Sequence, residues 1–320
     1  MKAAIYKQYG PPEVFALKDV PKPTPGNKEV LVKIHATTVT TGDTIMRSLN
    51  IPGPFWQRLF ARLYLGFYTP RRTILGMELA GKIEAVGQHV TRFKPGDTVF
   101  ASTLAVNFGG YAEYKCLPES GVLAHKPANL TDEQAAAVPG AGMTALHCLQ
   151  KAKIQPRQRV LIYGASGAVG TNAVQLATNY FGASVTGVCS TTNLELVKSL
   201  GAIKVIDYTR ADFTQDGETY EVIFDAVGKL PPSQAQTARK QAGIYLNVHA
   251  DSNGSDRVEN LLMLKKIIEA GQLKPVIDRQ YPLRQIVEAH RYVDQGHKRG
   301  NVVITVLTQL GRPGSRMLQS

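Results

Sequence analysis

The sequence predicts an α/β protein in two parts: a β-rich, partly open barrel and a doubly wound parallel sheet. Three observations predict it. The first 125 residues carry short runs of β-formers broken by proline and glycine. Beyond Leu130, strand-like and helix-like patterns alternate, which argues for parallel strands with helices on both faces. Between the first of those strands and its helix stands a glycine-rich turn, Gly164-Ala165-Ser166-Gly167-Ala168-Val169-Gly170. With 320 residues, 43% of them hydrophobic and 19% charged, the chain is long enough for two domains and a sizeable core.

Taken in order, residues 3–6, 30–35 and 81–86 read as strands. Pro21-Lys22-Pro23-Thr24-Pro25-Gly26 is a rigid turn ahead of a strand, and Phe93-Lys94-Pro95-Gly96-Asp97 is a turn entering another. Gly109-Gly110-Tyr111-Ala112-Glu113-Tyr114 opens one more. Thr131-Asp132-Glu133-Gln134 offers an N-cap hydroxyl and first-turn acids to an alanine-rich helix. Strands are then expected at 160–163, 184–188, 205–206, 222–226 and 243–248, with helical segments between several of them. A helix over 258–270 is stopped by Gly271, and 301–306 is β-like again. The last residues, 308–320, read as a mobile tail.

Val160-Leu161-Ile162-Tyr163 runs straight into the glycines, and apolar residues at helical spacing follow from Thr171 to Ala177. That order is what a pyrophosphate cradle needs. Glycines let the backbone turn tightly and approach an anion, and the first N–H groups of the new helix point at it. Dinucleotide binding is therefore the first functional hypothesis.

Bulk properties narrow the rest. The net charge of +12 reads either as a basic surface that attracts anionic cofactors or as a nucleic-acid surface. Basic residues cluster at Arg58, Arg62, Arg71 and Arg72 and at Lys298 and Arg299. They form no stripe interleaved with aromatics and match no nucleic-acid motif, so no such partner is expected. Cys116, Cys148 and Cys189 are far apart and form no CxxC pair, which predicts a reducing, cytoplasmic setting. Cys148 follows His147 directly, and adjacent residues on a helix do not face each other, so no Cys–His nucleophile is expected. No apolar run is long enough to span a bilayer and the start lacks a signal-peptide core, so no membrane partner is expected.

The order of motifs resembles the medium-chain dehydrogenase/reductase superfamily. The resemblance rests on Gly76-Met77-Glu78-Leu79-Ala80-Gly81, Arg92-Phe93-Lys94-Pro95-Gly96-Asp97-Thr98-Val99, Gly110-Tyr111-Ala112-Glu113-Tyr114, Gly142-Met143-Thr144-Ala145, the Gly164 to Gly170 turn and Lys298-Arg299-Gly300-Asn301-Val302-Val303. It implies a GroES-like β-barrel domain over 1–125 and 272–307 and a Rossmann domain over 126–271. Within the superfamily the chain looks most like the zinc-free quinone oxidoreductase branch, whose members commonly dimerise. Where zinc-dependent members carry Cys and His ligands, this chain carries Thr40 and Met77, a hydroxyl and a thioether that suit zinc poorly. No metal site is expected. Glu78 remains, and reads as a partly buried carboxylate held by a local ion pair.

The implied cofactor is NADPH. No acid follows Val188-Cys189-Ser190-Thr191-Thr192-Asn193 at the position that binds the adenosine ribose hydroxyls in NAD-preferring folds. Ser190, Thr191, Asn193 and Tyr208 are candidates for the 2′-phosphate side, although relatives often have Lys where Asn193 stands. Ser190 and Thr191 also read as an ordinary helix cap. Gly164, Ser166, Gly167, Ala168 and Val169 form the cradle. Thr144, Val227, Val248 and Asn301 complete the candidate cofactor contacts. Thr144 reads equally as a helix hydroxyl bonded to backbone, and Asp225 as a turn-forming acid. His249, beside Val248, reads first as a structural group.

For catalysis the resemblance points to Thr40 and Asp43. The tyrosine that many relatives carry two residues after the acid is Ile45 here. Water, Thr40, Thr41 or a tyrosine from the following segment, Tyr64 among them, remain as proton donors. That segment, residues 49–70, holds Phe55, Trp56, Phe60, Tyr64, Phe67 and Tyr68. It reads either as an aromatic lid over flat acceptors or as a packed amphipathic helix. The expected activity is hydride transfer from NADPH to a small electron-poor acceptor, a quinone or α,β-unsaturated carbonyl. An enoyl-thioester reductase, or a non-enzymatic NADPH sensor or RNA-binding protein, are the rival readings.

Overall fold

The computed structural model describes residues 1–51, 55–215 and 217–306, apart from the side chains of Gln57 and Tyr64. The tail expected at 308–320 lies outside the described residues. The first elements are β1 (Lys2–Tyr6), β2 (Phe15–Asp19), β3 (Glu29–Val39), α1 (Thr41–Ser48), α2 (Phe55–Leu65), β4 (Glu78–Val86), β5 (Thr98–Ser102), β6 (Tyr114–Pro118) and β7 (Leu123–His125). Next come α3 (Asp132–Ala136), α4 (Pro139–Lys151), β8 (Arg159–Tyr163), α5 (Ala168–Gln175), β9 (Ser184–Cys189), α6 (Leu194–Ser199), β10 (Lys204–Asp207), β11 (Tyr220–Asp225), α7 (Pro232–Ala238) and β12 (Arg239–Asn247). The chain closes with α8 (Val248–Asp251), α9 (Val258–Glu269), β13 (Ile277–Pro282), α10 (Ile286–Asp294) and β14 (Asn301–Thr305).

Two large sheets organise most of these elements, and β1 and β2 pair antiparallel in a small sheet of their own. The first runs β13-β14-β3-β4-β5-β7, with β6 also paired to β3. It draws strands from both ends of the described chain, because β14 pairs antiparallel with the far end of β3. The second is parallel throughout, in the order β10-β9-β8-β11-β12. Its central strand shows why both faces must be covered. Val160, Leu161 and Ile162 are all fully buried. Successive side chains of a strand point to opposite faces. Val160 and Ile162 join a core with Leu146, Val174 and Leu264, whereas Leu161 joins Ile223, Phe213 and Ala235 on the other side. An apolar run without alternation is the mark of a strand buried on both faces.

Local chemistry sets the helix starts. Thr131 and Gln134 form a capping box at α3, each side chain bonded to the other's backbone N–H. The alanine-rich helix expected there is short. It gives way to α4, which begins on Pro139, a residue preset for the first helical position. α3 packs on β3, β4, β5 and β14 of the first sheet.

Candidate active site

The parallel sheet reverses its strand order beside β8, and a crevice at such a point is where open α/β sheets take ligands. There the glycine turn meets the start of α5. Gly164 sits at φ +78°, and a Cβ on it would lie 2.5 Å from Val227 Cγ1. Gly170 is forced by close packing, since its Cβ would stand 2.1 Å from the Gly164 carbonyl oxygen. Gly167 caps α5 with extended backbone, and a Cβ there would meet nothing closer than 3.5 Å. The side-chain space above Gly167 is thus open, facing helix amides that have no partner within the helix.

Two cavities adjoin this turn. A groove of about 330 Å³ is lined by Tyr163, Gly164, Ser166, Gly167, Cys189, Ser190, Thr192, Asn193, Tyr208, Val227, Lys229 and residues 296–298. A second cavity, of about 360 Å³, lies between the lobes. Thr40 at the cap of α1, Thr41 and Ile45 of α1, Met77, Leu104, Met143 and Thr144, Ala168 and Val169 of α5, Val248, His249, Asp256 and Asn301 all line it. Lys298 lines both. A wider depression of about 630 Å³, beside Arg71, Arg72 and Lys115, shares no lining residue with either.

Asn193 donates to Ser166 Oγ (3.1 Å) and Ser190 Oγ (3.0 Å), which fixes its amide. Its Oδ1 is buried without a hydrogen-bond partner. Such an atom costs of the order of 1–3 kcal/mol until something donates to it. Asp225 is the turn-forming acid the sequence suggested. It accepts from the N–H groups of Val227 (3.1 Å), Gly228 (2.8 Å) and Leu230 (2.8 Å), and so holds Val227 against the glycine turn. Gly300 donates its N–H to the Ser166 carbonyl at 2.9 Å, tying the loop before β14 to the cradle.

Burial governs the charges between the lobes. Glu78 is 1% exposed. Its carboxylate accepts from Thr38 Oγ1 and, at 2.6 Å, from the Gly140 N–H at the start of α4. Desolvation nevertheless lifts its pKa to about 7. The local ion pair expected from sequence is absent among the described residues; a hydroxyl and a helix start take its place. Lys298 donates to the Gly300 carbonyl at 2.8 Å. Desolvation lowers its pKa to about 8, and Glu78 opposes that shift. Asp256 is also raised by burial, with Ser102 bonded to it.

Asp43 differs from the expectation of a catalytic acid. It is fully buried and does not line the cavity. Oδ2 accepts from the Thr40 N–H (2.9 Å) and hydroxyl (2.6 Å), and Oδ1 from the Gly76 N–H (3.0 Å). Thr40 in turn accepts from the Asp43 N–H, completing a capping box at α1. Burial raises Asp43 to about pKa 6 against those bonds. Tyr111 beside it bonds to His290 (3.1 Å), His290 to Arg47 (3.1 Å), and Arg47 to Asp294 (2.8 Å). Asp43 therefore positions α1. Thr40 does line the cavity, with its hydroxyl donating to Asp43. The side chain of Tyr64 lies outside the described residues.

Of the candidate cofactor contacts, Gly164, Ser166, Gly167, Ser190, Asn193, Tyr208 and Val227 line the groove. Thr144, Ala168, Val169, Val248 and Asn301 line the inter-lobe cavity. Thr191 does not join them. Its hydroxyl turns to Asp207 and Thr209, and Thr192 faces the groove instead. Thr144 makes none of the backbone bonds considered for it among the described residues, and His249 lines the cavity with its ring against Gly228. Sequence reasoning missed Lys229, Thr192, Asp256 and the role of Lys298. Only Lys298 left a signal, as part of a basic cluster. The aromatic segment met neither expectation: no described side chain of α2 lines either cavity, and Trp56, Phe60 and Leu63, expected to pack, are exposed.

Comparison with known proteins gives the arrangement a family. Residues 26–128 match the alcohol dehydrogenase GroES-like domain, and residues 229–304 match a zinc-binding dehydrogenase domain. The chain is 36% identical to the 2-methylene-furan-3-one reductase of Solanum lycopersicum, over 95% of this chain and 79% of that protein. It belongs to the medium-chain dehydrogenase/reductase superfamily, in the quinone oxidoreductase-like branch. A second member, the chloroplastic NADPH-dependent alkenal/one oxidoreductase of Arabidopsis thaliana, is 32% identical over the same shares. The solved quinone oxidoreductase of Coxiella burnetii superposes with a TM-score of 0.82 at 29% identity, covering 96% of this chain and 99% of that one.

Zinc and dinucleotide, the two groups this superfamily implies, fare differently here. At the zinc position Thr40 Oγ1 lies 3.6 Å from Met77 Sδ, and that hydroxyl is already bonded to Asp43. Zinc wants thiolate, imidazole or carboxylate, so the donors do not fit. Among the described residues no three His, Cys, Asp or Glu side chains are grouped to hold a metal. The groove does fit a dinucleotide: the space above Gly167 is open and Asn193 Oδ1 awaits a donor.

Proposed function

We propose that this oxidoreductase is zinc-independent, uses NADPH, and reduces quinones or α,β-unsaturated carbonyls. The observation that carries the reading is the meeting of two cavities at Lys298. One is a groove over the glycine turn; the other is a cavity lined by Ile45, Met77, Leu104, Met143 and Val248, with no zinc donor set among the described residues. The names of the relatives support it, since they act on alkenals, enones or quinones.

The cradle residues Gly167, Ala168 and Val169 would hold the diphosphate, and Ser190, Thr192, Asn193 and Tyr208 the adenosine side. A bound dihydronicotinamide supplies hydride equivalents, which is the chemistry of the cofactor rather than the protein. The chain's own residues position and polarise. Ile45, Met77, Leu104 and Met143 exclude water from a flat apolar acceptor. Reduction of a conjugated carbonyl leaves negative charge on its oxygen, and a donor aimed there is worth on the order of 10²–10³ in rate. Lys298 carries a positive charge and spare N–H groups at the junction, and with its pKa near 8 it can release a proton near neutral pH. Thr41, Thr144, Ser252 and Ser255 offer neutral hydroxyls in the same cavity.

The test is a stopped-flow screen of NADPH oxidation against quinones, enones, enoyl-CoAs and aldehydes. Turnover is expected with the first two; turnover confined to enoyl-CoAs or aldehydes overturns the assignment. Elemental analysis is expected to find no stoichiometric zinc, and one zinc per chain overturns the zinc-independent reading. No helix among the described residues is long and apolar enough to cross a membrane. The three free thiols suit a reducing compartment such as the cytoplasm. The edge strand β12 offers a surface for a homodimer, which light scattering would detect.

A further inference from the structure

We propose that α2 is an interfacial anchor that lays this protein on a membrane surface containing anionic lipid. Phe55 (79% exposed), Trp56 (57%), Leu59 (38%), Phe60 (66%) and Leu63 (53%) all stand out from the helix. At 100° per residue they share one face about 140° wide. Phe67 and Tyr68 extend that surface beyond the helix end, at 44% and 85% exposure. Leu65, on the opposite side, is buried and ties the helix to the body. A water-facing surface rarely presents so many large apolar groups together.

Charge selects the occupant. From Thr44 to Met77 the sequence holds five arginines and no acid. Arg47 is buried and paired with Asp294. Arg58 and Arg62 are exposed along one border of the apolar face, and Arg71 is exposed beyond it. Arg62 reaches over the Phe67 ring at 5.9 Å. A second copy docked on this face would bring the same arginines against each other. An anionic bilayer offers both things the helix lacks: an apolar layer for Phe, Trp and Leu, and phosphates for Arg. Tryptophan and arginine are the side chains that settle at that boundary.

The full chain is mixed with vesicles of phosphatidylcholine alone or with phosphatidylglycerol, and bound protein is separated by flotation. Trp56 is the only tryptophan, so its emission reports this helix alone. Binding to the anionic vesicles is expected, with a blue shift of Trp56 and quenching by brominated acyl chains. Phe60→Glu, and separately Arg58→Glu with Arg62→Glu, are expected to lower partitioning by about tenfold or more. These positions are exposed, so the melting temperature is expected to hold. Unshifted Trp56 emission in anionic vesicles overturns the proposal, as does undiminished binding of Phe60→Glu. A dimer in the absence of lipid that Phe60→Glu dissociates, with no vesicle binding, assigns the face to a second copy and likewise overturns it. So does saturable binding of an acidic protein without vesicle binding.

Discussion

Placing a carboxylate at residue 167 separates the cradle from the fold. Gly167 has φ −78° and ψ 176°, a conformation any residue adopts, and its Cβ would meet only the Gly164 oxygen at 3.5 Å. Gly167→Asp therefore costs the fold little, and its side chain enters the space where a diphosphate would lie. Two unit charges about 4 Å apart repel by about 4 kcal/mol at an effective dielectric of ~20. The groove is open to water, so about half of that is a fair figure for each phosphate charge. Two such charges amount to about 4 kcal/mol, or on the order of 10³ in Kd. Calorimetric titration with NADPH, paired with thermal melting, reads both quantities. Gly170→Ala is the contrasting variant. With 2.1 Å between its Cβ and the Gly164 oxygen, it must push α5 off the sheet, at a cost of about 1–3 kcal/mol or more. The expected pattern is lost binding with an unchanged melting temperature for Gly167→Asp, and a lowered melting temperature for Gly170→Ala. Undiminished NADPH affinity in Gly167→Asp, or a melting loss matching that of Gly170→Ala, refutes the cradle.

NADPH is expected to bind more tightly than NADH, with Ser190, Thr192 and Tyr208 near the extra phosphate; a reversed preference in parallel titrations defeats that placement. Lys298, lowered to about 8, is protonated below that pH. If it serves the acceptor oxygen as proposed, kcat/KM is highest below about pH 8 and falls as pH rises through it. Lys298→Met is expected to remove that limb and Lys298→Arg to carry it beyond the assay range, whereas a KM change without a changed pH profile speaks for a merely structural lysine. Glu78, raised from 4.5 to about 7, binds its proton more tightly folded than unfolded. Its contribution to stability is thus favourable at low pH and declines as pH rises from about 4.5 to about 7. Urea unfolding of wild type and Glu78→Gln across that range is expected to show the variant gaining on wild type as pH rises; a constant difference contradicts the assignment.

The local features of the site could be read from consecutive residues. A strand, a tight turn and a helix start are neighbours in sequence, so Val160 to Ala177 announced that strand–turn–helix geometry through periodicity and glycine spacing alone. The capping hydroxyl of Thr131 and the turn acid Asp225 were legible for the same reason, since each bonds to backbone a few residues away. The absence of zinc donors at Thr40 and Met77 was legible because ligand chemistry belongs to residue type.

Asp43 shows where that reading stops. Its sequence position suggested catalysis, but burial beneath Gly76 and Tyr111 turns it into a support for α1. Thr191 and Thr192 are indistinguishable as letters, and the path of the chain after β9 decides which hydroxyl faces the groove. Lys298 and Glu78 are 220 residues apart, and only folding brings them near enough to shift each other's titration. The outward face of α2 was likewise invisible, because an amphipathic period does not say whether its apolar side meets protein or water. Sequence alone determined the β-rich and parallel-sheet classes, the glycine turn and the missing metal ligands, all properties of side-chain type and short-range hydrogen bonding. Tertiary structure decided exposure, charge and the company each group keeps, because desolvation and Coulomb interactions depend on distances through space rather than along the chain.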